Sequence, residues 1–224
     1  MRKAREEQMD SVGTLELIRH TGVIAIVREA RAQAIVNIAQ SLYDGGIRAV
    51  EVAIGRSFEL EMVRQLCKTC PKDMLIGAGT VLDAETARAS ILAGATFVLS
   101  PSLSPQVVSL CNRYSILAVP GVLTPTEAVE AWEIGARAVK IFPAGVVGPG
   151  YIRDLRGPLP QIEMIPVAGV NVDNTAEFIR AGACAGGVGG GLVDRAAVAS
   201  GDWAELTCRA TKLLAEVRKA RAQK

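Results

Sequence analysis

The sequence predicts an α/β protein that closes into a (β/α)8 TIM barrel with an N-terminal helix. Three observations carry that expectation. Eight short aliphatic runs alternate with helix-spaced apolar patterns from end to end. Several helical patterns end in glycine just before the next run, at Gly45 and Gly46, Gly94, Gly135 and Gly182, where glycine takes the left-handed C-cap conformation at little cost. The chain is 50% hydrophobic but only 4% aromatic, the composition of aliphatic parallel strands buried on both faces. With 224 residues and no linker or low-complexity stretch, a single barrel domain spanning residues 1–224 is expected.

The elements follow in order. Residues 1–20 read as an N-terminal helical segment. Its first part, Met1 to Asp10, is charged and lacks the apolar core of a signal peptide, so a cytoplasmic location is expected. The first strand, Val23–Val27, runs into Arg28, Glu29 and Ala30 rather than a glycine-rich fingerprint, which disfavours an open doubly wound sheet. Ala34, Ile35, Ile38, Ala39 and Leu42 mark the next helix. The second strand is Ala49–Ile54, and the helix after it ends in Cys67-x-x-Cys70 ahead of Pro71. That pair has no second ligand pair at zinc spacing and sits at a helix end, so it reads as two ordinary thiols. The odd total of five cysteines suits a reducing compartment.

The remaining strands are expected at Leu75–Ala78, Phe97–Leu99, Ile116–Val119, Ala138–Phe142, Glu163–Val167 and Ala185–Val188. Gly145 to Pro160, rich in Gly and Pro, reads as a long loop with a short helix. Residues 203–224 form a C-terminal helix and basic tail, with cations near the C-terminus where the helix dipole favours them.

Composition also excludes chemistry. A net charge of +2 and a basic tail without interleaved aromatics argue against a nucleic-acid partner. No run reaches the ~18 apolar residues of a membrane span. The single histidine, His20, excludes most catalytic zinc sites and His-based triads. No P-loop motif occurs. Neither a metal nor a cofactor is expected.

Charged residues inside strands carry the functional information. Side chains alternate along a strand. In Ala138-Val139-Lys140-Ile141-Phe142, Val139 and Ile141 face the helices and Lys140 points into the barrel. In the second strand Glu51 points inward by the same rule. Both strands are even-numbered, and alternate strands share interior layers, so one site can hold both charges. Burial lowers a lysine pKa and yields a neutral amine able to form a Schiff base, while a nearby carboxylate moves protons. The alternatives are an inert buried ion pair, or a strand-end lysine reaching solvent. Arg28 and Thr80 end the first and third strands at the face where barrels place their sites. Arg28 is suited to clamp a carboxylate or to pair with Glu29 or another loop acid. The turns holding Ala168 and Gly169, and Gly190 and Gly191, follow the last two strands, where barrels often bind phosphate through backbone N–H groups.

These segments resemble the KDPG and 4-hydroxy-2-oxoglutarate aldolases, a family of class I pyruvate aldolases, from about Gly22 to Val193. The matching stretches include Gly22–Arg28, Gly45–Val52, Ile76–Val81, Leu99–Pro101, Val119–Val122, Val139–Ala144 and Val188–Val193. The resemblance implies that Lys140 forms the Schiff base and Glu51 is the general acid/base. It implies that Arg28 and Thr80 hold the substrate carboxylate, that Pro101 and Phe142 line the pocket, and that the protein is a homotrimer acting on a small 2-oxo acid. Some members place the arginine shortly after the glutamate; here Gly55 fills that position and Arg56 falls one residue late. The family's phosphate turns read T-G-G and G-G-S, against Val167-Ala168-Gly169 and Gly189-Gly190-Gly191 here, and a common threonine is Ala53. The pyruvate half is therefore kept and the phosphate half altered. Two other functions remain open on the residues: a metal-free sugar-phosphate isomerase or epimerase, and a non-catalytic barrel serving assembly or binding.

Overall fold

The computed structural model describes residues 9–28, 30–55 and 58–223. Residues 1–8 of the expected N-terminal segment, and Lys224 of the tail, lie outside that range. Helix α1 (Ser11–Thr21) leads into β1 (Val23–Val27), α2 (Ile35–Asp44), β2 (Ala49–Ala53), α3 (Phe58–Thr69) and β3 (Leu75–Gly79). Then come α4 (Ala84–Ala93), β4 (Phe97–Leu99), α5 (Pro105–Arg113), β5 (Leu117–Val119), β6 (Gly121–Val122) and α6 (Pro125–Glu133). The chain finishes with β7 (Ala138–Ile141), α7 (Ala144–Arg156), β8 (Glu163–Pro166), α8 (Thr175–Ala181), β9 (Gly186–Val188), α9 (Arg195–Ser200) and α10 (Trp203–Ala222).

All strand pairs are parallel, in the orders β5-β4-β3-β2-β1-β9 and β6-β7-β8. Two links close them into a (β/α)8 barrel. Val167 bridges Gly187, and β5 continues into β6 across Pro120 as one stave. Proline has no N–H to give the ladder, but its carbonyl still accepts from Lys140 N at 2.8 Å. The fifth strand thus runs past Val119, where the sequence pattern ended it.

The period of two divides the core. Val23, Val27, Val50, Val52, Ile76, Val98, Val139 and Ile141 face the helices. Ile24, Ala49, Leu75, Phe97, Leu99, Leu117, Ala138 and Ile165 fill the interior. Leu15 and Ile18 of α1 join that inner cluster and close the end of the barrel where the strands begin. Arg221 of α10 holds α1 there, donating to the carbonyls of Arg19, His20 and Cys184, the first two among the orphan acceptors of a helix end.

One expectation is corrected. Gly145 to Pro160 is not mainly loop: α7 occupies most of it, kinked at Gly148 (φ 72°, ψ 177°). Only that residue leaves helical geometry, and Pro149 then starts the second helical piece, a position whose missing N–H costs nothing. Cys67 and Cys70 do end α3, and burial pushes the Cys67 thiol up to about 11, unsuited to redox exchange near neutrality. Among the described residues no helix is long and apolar enough to cross a membrane.

Candidate active site

Closure of the barrel buries both inward charges. Lys140 keeps 4% of its accessible surface and Glu51 keeps 1%. Burial, as the largest cause, lowers the Lys140 pKa; Arg28 pushes it the same way and Glu51 opposes. Burial raises the Glu51 pKa, with Lys140 and then Arg28 opposing. The three groups therefore sit within one another's field, and desolvation sets the sign for both buried ones. The Lys140 Nζ lies 4.9 Å from the centroid of the Phe142 ring. Glu51 Oε2 is buried and makes no hydrogen bond to a protein group, so its acceptor capacity is free for a reacting group.

At the mouth, Arg28 Nη2 donates to Thr80 Oγ1 at 3.0 Å. Thr80 holds φ at 60°, a left-handed conformation that a β-branched residue adopts only under constraint. The register of β1, β2 and β3 supplies that constraint by fixing both strand ends. Glu29 and Arg56, the alternative partner and alternative clamp, lie outside the described residues.

The turn after β8 is held from two sides. Gly145 N donates to Ala168 O at 2.8 Å, and Asn174 Nδ2 donates to Gly169 O at 2.8 Å. A Cβ on Gly145 would come within 2.9 Å of Gly169 Cα. Ala168 has φ 65° and Gly169 has φ 78°. Gly190 and Gly191 are exposed after β9. Pro101 packs its backbone against β6: a Cβ on Gly121 would overlap the Pro101 carbonyl.

Glycines inside the barrel escaped the sequence reading. A Cβ on Gly77 would sit 2.5 Å from Phe97 Cδ2, and one on Gly187 2.7 Å from Val167 Cγ2. A Cβ on Gly79 would overlap Glu51 Oε1 and Cδ and lie 2.6 Å from Cγ. The available signal was glycine within a strand pattern, which marks close approach of another group. His20 stands at the end of α1, next to Arg19, which pairs with Glu163 at the start of β8. It is at the opposite end of the barrel from Thr80.

The family model described as KDPG and KHG aldolase matches residues 15–208. A 2-dehydro-3-deoxy-phosphogluconate aldolase of Treponema pallidum is 33% identical over 203 residues, covering 89% of this chain and 95% of the relative. The chain belongs to the KDPG and KHG aldolase family. Solved structures agree with that membership. One described as native KDPGal superposes with a TM-score of 0.83 at 29% identity, covering 89% of this chain and 96% of the other. A KDPG aldolase of Legionella pneumophila, with pyruvate captured as a covalent carbinolamine, gives a TM-score of 0.82 at 26% identity, covering 89% and 97%. In this chain one inward lysine and one inward carboxylate are buried in a largely apolar barrel interior.

Proposed function

We propose that this aldolase splits a 4-hydroxy-2-oxo acid into pyruvate and an aldehyde through a Schiff base on Lys140. The observation that carries the reading is the burial of Lys140 and Glu51 in one field beneath the Arg28–Thr80 pair. Arg28 and Thr80 hold the substrate carboxylate, and Pro101 and Phe142 wall the pocket. The neutral Lys140 amine adds to C2 to give a carbinolamine, which loses water to form the iminium. Glu51 takes the proton from the 4-hydroxyl as the C3–C4 bond breaks. The aldehyde leaves, and the electron pair moves into the iminium to form an enamine. Protonation at C3 and hydrolysis release pyruvate and restore the amine.

Backbone N–H groups at Ala168, Gly169, Gly190 and Gly191 receive the far end of the substrate, a phosphate in the preferred case. Neither Val167 nor Gly191 adds a hydroxyl, so the preference rests on the main chain alone. KDPG is expected to exceed its unphosphorylated analogue in kcat/KM by about ten- to a hundredfold, the worth of one hydrogen bond to a charged group. Steady-state cleavage of KDPG, that analogue and 4-hydroxy-2-oxoglutarate measures it. Equal rates for the first two would remove these turns from phosphate binding.

The working unit is proposed to be a cytoplasmic homotrimer. The family resemblance supports it, as do the exposed Leu82 just before α4 and Leu92 near its end, and the free cysteines. Light scattering is expected to give three times the 23.6 kDa chain mass; a monomer mass at working concentration would refute it.

A further inference from the structure

We infer that Gly79 is a positioning residue for the aldol reaction: the side chain it lacks is the seat of the Glu51 carboxylate. Gly79 closes β3, and its carbonyl accepts from Ile54 N at 2.7 Å. Its register partner is Ala53, two residues beyond Glu51 on β2. Its φ lies outside the left-handed region, unlike those of Gly22, Gly46 or Gly94. The backbone therefore does not call for glycine here, and within a strand glycine is otherwise unfavourable. Space does call for it. The nearest atoms to a Cβ at this position are Oε1, Cδ and Cγ of Glu51, all nearer than any real Cβ contact.

The seat matters because no protein hydrogen bond pins the buried Oε2 of the carboxylate. Glu51 Oε2 has no protein partner, so the group is kept deep in the barrel by shape and by the fields of Lys140 and Arg28. A methyl group at residue 79 pushes the carboxylate out of that place. It moves toward solvent, its raised pKa relaxes toward the ordinary carboxylate range, and the base no longer faces the substrate hydroxyl. The seat stands on packing alone; its catalytic consequence rests on the aldolase reading above.

Gly79→Ala, Glu51→Gln and the double variant test the catalytic consequence. Gly79→Ala is expected to lower kcat for aldol cleavage by about 10²-fold or more, in the range of losing a general base, while borohydride still traps pyruvate on Lys140. In the Glu51→Gln background the same change should cost less than about threefold, since both act on one group. The acid limb of the pH–rate profile should move down in Gly79→Ala. An equal penalty in both backgrounds, or an unmoved acid limb, overturns the inference, because Gly79 would then act through its neighbour Thr80 or through the strand.

Thermal melts of Gly79→Ala with and without Glu51→Ala test the seat without any assay of activity. The methyl is expected to lower the melting temperature in the parent chain and to be tolerated once Glu51 is truncated. If Gly79→Ala alone does not fold, the double variant with Glu51→Ala is expected to fold. A double variant that also fails, or an equal loss in both backgrounds, overturns the seat. Failure of borohydride trapping in the parent protein would strike the aldolase reading and leave the melting result standing.

Discussion

Lys140→Ala is expected to abolish the adduct that borohydride traps from pyruvate and to lower aldol cleavage by about 10⁴-fold or more, as loss of a covalent nucleophile does. The proposed chemistry needs an unprotonated amine inside the barrel, and burial favours that form by lowering the Lys140 pKa. No other lysine stands on an interior strand position of the described barrel. Mass spectrometry of the reduced adduct locates the label. A pyruvate-dependent mass increase that survives in Lys140→Ala would move the Schiff base elsewhere. Lys140→Ala also removes the larger of the two cationic influences on Glu51 and leaves only Arg28 opposing burial, which drives the carboxyl further up. A carboxyl takes up its proton there, so the variant is expected to fold. A circular dichroism spectrum like that of the parent separates lost chemistry from lost structure.

Glu51→Gln is expected to lower kcat by about 10²- to 10⁴-fold, the usual worth of a general base. Its effect on KM is expected to stay within a few-fold, because the carboxylate clamp proposed above, the hydrogen-bonded Arg28 and Thr80, stands on other strands. Pyruvate trapping on Lys140 should persist, since the amine and its entry route remain. The pH profile carries a second reading. In the proposed mechanism Glu51 acts ionised and Lys140 acts neutral, so activity is expected to fall as pH drops through either group. Desolvation holds the Glu51 pKa above the ordinary carboxylate range, which places the acid limb of the parent enzyme above that range too. Because the groups sense each other, the limb belongs to the pair. Removing the carboxylate leaves Lys140 alone, and the limb is expected to become shallower. A variant with parental kcat and an unchanged limb would take Glu51 out of the mechanism.

Much of the site was legible because strand alternation is local. One outward-facing aliphatic neighbour on each side was enough to turn Lys140 and Glu51 inward, and the structure buries both. Arg28 and Thr80 were legible as strand ends, though not as hydrogen-bonded partners 52 residues apart. Local rules erred where a single residue changes direction without ending an element. Gly148 kinks α7 rather than opening a loop, and Pro120 interrupts a ladder that resumes at Gly121.

The sequence by itself determined the alternating α/β elements, the faces of their side chains and thus which charges must enter an aliphatic barrel. Periodicity and glycine capping are properties of neighbouring residues, so they needed no tertiary information. The direction in which each buried pKa moves, and the room for Glu51, come from the tertiary structure alone. Desolvation depends on how completely distant strands enclose a group, and the room for Glu51 is made by a side chain absent at Gly79 on the next strand. Neither quantity exists until β2 and β3 lie in register and the barrel closes through Val167 and Gly187.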